Sequence, residues 1–199
     1  MGATTARRLI GAHTVDVGGI HMAARRAVNA GMRAMQLFTA IPKYYGEKVG
    51  VKPERIARFR EALDAAGIRG EHVVSHAAYV LNVATPDAAK WERAAVGLAK
   101  ELERSTALGL GMVCFHPGAA TDGDRPGALA RVSAAIVQAL ESVQGTTRLL
   151  VENTAGAGST VARTEDEIAA ILDAFERATG EPPSFFHLND SEGTLGSTR

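Results

Sequence analysis

"LGLGMVCFHPG" occupies residues 108–118. The run Gly111–His116 is mostly apolar on both faces, too short for a helix, and ends in a histidine before Pro117 and Gly118. A strand in a covered parallel sheet has this character. Five more runs read the same way: "RLIGAH" (8–13), "AMQLF" (34–38), "EHVVSH" (71–76), "RLLVEN" (148–153) and "SFFHLND" (184–190).

The stretches between the runs are helical. Residues 85–109 open with Thr85 as the expected N-cap and Pro86 at the first helical position. "RTEDEIAAILDAFERATG" (163–180) places Glu167 three residues after Thr164, a capping box, and closes at Gly180. Residues 51–70 carry Pro53 near the start and Gly67 near the end, residues 126–145 have apolar positions at helical spacing, and residues 20–31 make a shorter helix.

The pattern is a repeated βα unit, which folds as an open doubly wound sheet or as a barrel. His76, His116, Glu152 and His187 are separated by 40, 36 and 35 residues, about one unit each. Every unit therefore places a polar residue at the C-terminal end of its strand, the rim on which βα barrels build their sites.

The 199 residues suffice for one sizeable domain, and 46% hydrophobic with 22% charged residues is ordinary for a globular chain. Lys+Arg and Asp+Glu both number 22, so binding to nucleic acid requires a local basic patch. Cys114 is the single cysteine, which excludes an internal disulfide and fits a reducing compartment such as the cytoplasm. No signal peptide or membrane span is visible.

Imidazoles and a carboxylate converging on one rim suit zinc or a similar divalent ion, and an open coordination position would make it catalytic. A lone strand-end histidine is more often a hydrogen-bonded loop residue, and rim residues are polar partly because loops are. Four in phase with the repeat are much less easily dismissed, and the spacing alone leaves the metal and the loop reading side by side.

"IGAH", "QLFT", "SHAAYVLNVATPD", "ALGLGMVCFHPGA", "LLVENTAGAGS" and "FHLNDSEGTLGS" follow one another from about residue 9 to residue 199. In that order they resemble the motifs of the endonuclease IV family, zinc-dependent apurinic/apyrimidinic (AP) endonucleases built on a TIM barrel. The resemblance implies a hydrolase of DNA repair that cuts duplex DNA on the 5′ side of an abasic site. The family uses three zinc ions. By motif, His76 and His116 match ligands of one zinc, Glu152 the carboxylate bridging it to a second, and His187 a ligand of that second ion. Tyr79 matches a residue inserted into DNA near the lesion, and Lys43, in "KYYGEK", falls where the family carries a basic DNA contact. His13 matches a histidine at the first strand end. Asn189 and Asp190 either orient a ligand from behind or cap a terminal turn.

The sequence also departs from the family. One βα unit with an Asp-x-Cys-His signature is absent before "FFHLND", and the Asp-x-His pair and glutamate that follow "GTLGS" in the family are absent too. The expectation is therefore one domain over residues 1–199, an incomplete TIM-type (β/α) barrel of about six parallel strands truncated at its C-terminus. Ligands for one zinc are nearly intact, a second keeps two, and a third has none. Six strands leave two edges, which predicts an open arc or a homo-oligomer that covers them. Two alternatives stand beside the endonuclease: a catalytically inactive DNA- or zinc-binding remnant, and a metal-dependent sugar isomerase or epimerase. Cys114 and Trp91 read as core residues, and "TAGAGS" (154–159) as a turn rather than a phosphate loop, lacking the P-loop lysine.

Overall fold

A computed structural model of the chain describes residues 9–40 and 50–180 and the backbone of Phe186 and His187. Its elements are β1 (Gly11–His13), α1 (Ile20–Asn29), β2 (Ala34–Phe38), α2 (Pro53–Ala66), a 3-10 turn (Gly70–His72), β3 (Val73–His76), α3 (Ala88–Leu108), β4 (Met112–Phe115), α4 (Arg125–Ser142), β5 (Arg148–Glu152), α5 (Glu165–Thr179) and β6 (Phe186–His187). All six expected strands are present.

The strands form one sheet in the order β1-β2-β3-β4-β5-β6, and every neighbouring pair is parallel. A doubly wound sheet reverses its order at a switch point. This one never reverses, so each right-handed crossover steps the same way and all helices lie on one side. The architecture is an incomplete α/β barrel, and among the described residues β1 and β6 do not pair with each other. None of the described helices is long and apolar enough to cross a membrane.

Burial follows from that winding. On β2, Met35 and Leu37 are buried under the helices, whereas Ala34, Gln36 and Phe38 face the arc's interior and are half-buried. On this strand only the helix-side face is fully covered, whereas on β4 and β5 the interior-facing Cys114, Leu150 and Glu152 are buried too. One core packs α1 and α2, through Ala23, Ala27, Phe59 and Leu63, on Leu37 and Val73. A second packs α3, α4 and α5, through Leu98, Leu102, Val132 and Ile171, on Val113, Phe115 and Val151. Trp91 joins this second core as expected, and its Nε1–H donates to the Arg131 carbonyl at 3.1 Å.

The helix ends are largely as the sequence predicts. Gly67 and Gly180 close α2 and α5 in the left-handed conformation. Thr164 caps α5, its Oγ1 accepting from Glu167 N at 3.3 Å, while Glu167 reaches back one residue further than a capping box, to Arg163 N at 3.0 Å. The cap of α3 is a correction. Asp87, not Thr85, is the N-cap; its Oδ1 accepts from Lys90 N at 2.9 Å and the helix begins at Ala88. A carboxylate is a stronger acceptor for a helix's free N–H groups than a hydroxyl, so the start moves two residues on.

Candidate metal centre

Three of the expected side chains meet on the C-terminal rim. His76 ends β3, Glu152 ends β5, and His116 follows β4 by one residue. Their nearest ligand atoms all lie within 4.8 Å of one another. His76 and Glu152 are buried, and His116 is partly open to solvent. Glu152 Oε2 lies 3.1 Å from His76 Nε2 and 3.9 Å from His116 Nε2. Ligands bound at about 2.0–2.2 Å around a tetrahedral zinc stand roughly 3.3–3.6 Å from each other, so the cluster is close to coordination geometry.

The hydrogen bonds behind the cluster sharpen this. His76 Nδ1 is 2.7 Å from the Ala77 carbonyl, which can only accept, so Nδ1 carries a proton. Nε2 then faces a carboxylate oxygen either as a second N–H of an imidazolium or as a lone pair with a cation between. A divalent ion satisfies the second arrangement, displacing one proton as it binds. The donor set thus fits a zinc-like metal.

Glu152 is held ionised. Burial pushes its pKa up, but hydrogen bonds from His76 and Cys114 and the charges of His116 and His76 outweigh it, leaving the pKa at about 2. Cys114 was expected only to pack. It is buried, and its thiol also donates to Glu152 Oε2 at 3.0 Å. Burial, and then the bond to the Glu152 carboxylate and its charge, push the thiol far above its ordinary range. The signal was available: Cys114 and His116 are two apart on an extended run and share a face.

The rim loops are laced together behind His116. Asn82, between β3 and α3, accepts at Oδ1 from Ala119 N at 3.0 Å and Ala84 N at 3.1 Å, and its Nδ2 donates to the Ala119 carbonyl at 3.3 Å. Gly118 makes the close approach possible: its φ is +102°, and a side chain there would run into Asn82. The same loop is fixed to the turn after β5 by Val161 N to Gly118 O at 3.0 Å and Ala120 N to Ser159 O at 2.9 Å. Asn82 escaped the sequence reading because an asparagine in a loop carries no special mark.

Tyr79 stands on the same rim, exposed, with its ring 5.0 Å from His76 and 5.8 Å from His116, centroid to centroid. His13 ends β1 and does not join the triad. Its ring packs 4.6 Å from Phe38, which in turn meets His76 edge-on at 5.5 Å. Burial, and then His76, lower the His13 pKa, against an opposing pull from Asp16. His187 ends β6 as the register partner of Glu152, and its side chain lies outside the described residues. Lys43, Asn189 and Asp190 lie outside them as well.

Residues 24–195 match the family described as xylose isomerase-like TIM barrel. A probable endonuclease 4 of Geobacter sp. (strain M21) is 32% identical over 94% of this chain and 78% of its own length. Another, of Citrifermentans bemidjiense, is 34% identical over 83% of this chain and 58% of its own length. The chain thus spans little more than half of some relatives and about three quarters of others. The crystal structure of endonuclease IV from Thermus thermophilus superposes with a TM-score of 0.70 at 28% identity, covering 94% of this chain and 78% of that one. An L-ribulose 3-epimerase superposes with a TM-score of 0.64 at 16% identity, over 90% of this chain and 59% of that one, a likeness of fold alone.

Proposed function

This chain belongs to the endonuclease IV family, and on that premise we propose that it is a metal-dependent phosphodiesterase of DNA repair. Its substrate would be duplex DNA with an abasic site, cut on the 5′ side of the lesion. The observation that carries the reading is the meeting of His76, His116 and Glu152 on the rim, with the His76 tautomer set by the Ala77 carbonyl.

In this reading His76 and His116 present neutral Nε2 atoms to the ion, and Glu152 supplies the negative charge that holds it. Zinc bound there would place positive charge against a phosphoryl oxygen and make a water molecule more acidic. His187 belongs to the same proposal as a ligand of a second ion. Cys114 and the Ala77 carbonyl fix the orientations of Glu152 and His76. Tyr79, exposed beside both histidines, offers a ring for stacking at a disrupted base pair, and Lys43 a phosphate contact. The epimerase alternative rests on fold alone. The "FHPG", "ENTAG" and "HLND" segments of this chain carry the nuclease resemblance and point away from it.

The test is incision of a duplex oligonucleotide carrying one abasic site, with wild type, a chelated sample and His116→Ala side by side in added zinc. The reading expects 5′ incision that requires both the metal and His116. A folded, zinc-loaded wild type that leaves the duplex intact would make this chain a non-catalytic member of its family.

A further inference from the structure

The chain has no net charge, so a polyanion must be met by a local concentration of positive groups. One lies on the same rim as the metal ligands. A cleft of about 320 Å³ is lined by Gly18, Gly19, His21, Lys52, Arg55 and Arg58, with Glu54 the one carboxylate among the described residues of its wall. Both segments that build it, the turn after β1 and the start of α2, follow C-terminal strand ends. β1 is two strands from β3, about 10 Å across the sheet.

The cleft is assembled in detail. Lys52, Arg55 and Arg58 recur every three residues and line one face of α2. Opposite them, His21 and Arg25 sit four apart on α1. Arg58 Nη2 donates to His21 Nε2 at 3.1 Å, which orients the guanidinium. Burial, then Arg58 and Arg25, lower the His21 pKa, a sign of the positive field there. Arg26 clamps the turn after β1 by donating to the carbonyls of Val15 at 2.7 Å and Val17 at 2.9 Å. Gly18 and Gly19 then take φ of +91° and +112°; a side chain on Gly19 would come within 3.0 Å of His21 Nδ1.

This arrangement is unfavourable for the isolated protein. Cations at a helix N-terminus oppose the macrodipole, and like charges three apart repel. Neither α1 nor α2 has a side-chain cap to offset this. Among the described residues, Arg25, Lys52, Arg55 and Arg58 form no salt bridge, whereas Arg69, Arg104, Arg125, Arg131 and Arg163 are paired with carboxylates. Glu54, in the first turn of α2, offsets part of this charge, and the remaining surplus of cations points to a ligand that supplies the missing negative charge.

We infer that this cleft is a phosphate-binding subsite for the backbone of undamaged duplex DNA flanking the position held at the metal centre. The inference rests on the DNA reading above. Backbone contacts of this kind set affinity and register without reading bases.

The experiment measures binding of zinc-loaded protein to an undamaged duplex by fluorescence anisotropy at several salt concentrations. Arg55→Gln/Arg58→Gln is compared with Arg69→Gln/Arg177→Gln, which removes two charges from the opposite end of the barrel. The first pair is expected to lower affinity about tenfold at moderate salt and to reduce the salt slope by roughly 2, with zinc content unchanged. The second pair should bind like wild type. Equal slopes for wild type and the first pair, or equal losses in both pairs, would overturn the inference while leaving the DNA reading intact. Inorganic phosphate at matched ionic strength should release no more DNA than chloride does. Full release by millimolar phosphate would make the cleft a free-anion site instead. A zinc-loaded wild type that binds no duplex at all would remove the DNA reading, and this inference with it.

Discussion

The Cys114 thiol and the His76 imidazole converge on one atom: Glu152 Oε2 lies 3.0 Å from Cys114 Sγ and 3.1 Å from His76 Nε2. Cys114 therefore orients the carboxylate from behind while the histidines face it from the rim. Outer partners of metal ligands are typically worth about 10- to 100-fold in affinity. Cys114→Ala should weaken zinc binding by about tenfold, and Cys114→Ser, which keeps a donor, should restore part of it. Competition with a chromogenic chelator measures both. Equal zinc affinity in wild type and a folded Cys114→Ala protein would reduce Cys114 to packing.

Glu152 makes stability depend on pH with a definite sign. Its folded-state pKa is about 2 against an ordinary 4.5, so the unfolded chain takes up the proton first on acidification. The stabilisation is complete above the unfolded value and is lost as pH falls from about 4.5 toward 2; over the whole window it amounts to about 3 kcal/mol. Glu152→Gln lacks this dependence. Urea unfolding in chelator should show wild type losing about 2 kcal/mol more than Glu152→Gln between about pH 6 and pH 3. Parallel acid profiles would mean that His76 and Cys114 do not hold the carboxylate ionised.

Part of this was legible in the sequence, and the boundary has physical causes. The 40-, 36- and 35-residue intervals located the strand ends because each βα unit has nearly constant length, and His76, His116 and Glu152 followed from them. The choice between an open doubly wound sheet and a barrel was not legible from the runs. Both present apolar strands, and the difference lies in the unreversed strand order. The α3 cap was misread because Thr85-Pro86 and Asp87 offer two starts two residues apart, and acceptor strength decides between them. Glu101 and Arg104 resemble a solvated i,i+3 pair. They are buried, and Thr39, 62 residues before Glu101, hydrogen-bonds to both of them. Partners that distant leave no local pattern.

The loop lacing at Asn82 predicts that His116 is positioned from the neighbouring unit. Asn82→Ala removes the acceptor shared by Ala84 and Ala119 and leaves their N–H groups without it, at a cost of about 1–3 kcal/mol. Asn82→Asp keeps the acceptor. Zinc affinity should fall in Asn82→Ala, measured by isothermal titration, and stay closer to wild type in Asn82→Asp. Gly118→Ala should mimic the loss, since φ of +102° and contact with Asn82 both resist a side chain. Wild-type zinc affinity in both Asn82→Ala and Gly118→Ala would show that His116 needs no such support.

The pair buried on α3 predicts a cycle rather than a single loss. Arg104 Nη2 lies 2.8 Å from Glu101 Oε2, Thr39 Oγ1 donates to the same oxygen at 2.7 Å, and Arg104 Nε donates to Thr39 Oγ1 at 3.3 Å. The network ties α3 to the end of β2, yet Arg104 Nη1 is buried without a hydrogen-bond partner, so it is incompletely satisfied. Arg104→Met leaves Glu101 charged and unpaired in the interior and should cost about 3–5 kcal/mol. Glu101→Leu/Arg104→Met removes both charges and their desolvation penalty together. Its stability in urea should lie within about 1–2 kcal/mol of wild type, because apolar packing replaces a buried ion pair at little net cost. Losses that simply add across the two single variants would show that Glu101 and Arg104 are not coupled. The link from α3 to β2 would then rest on Thr39 alone.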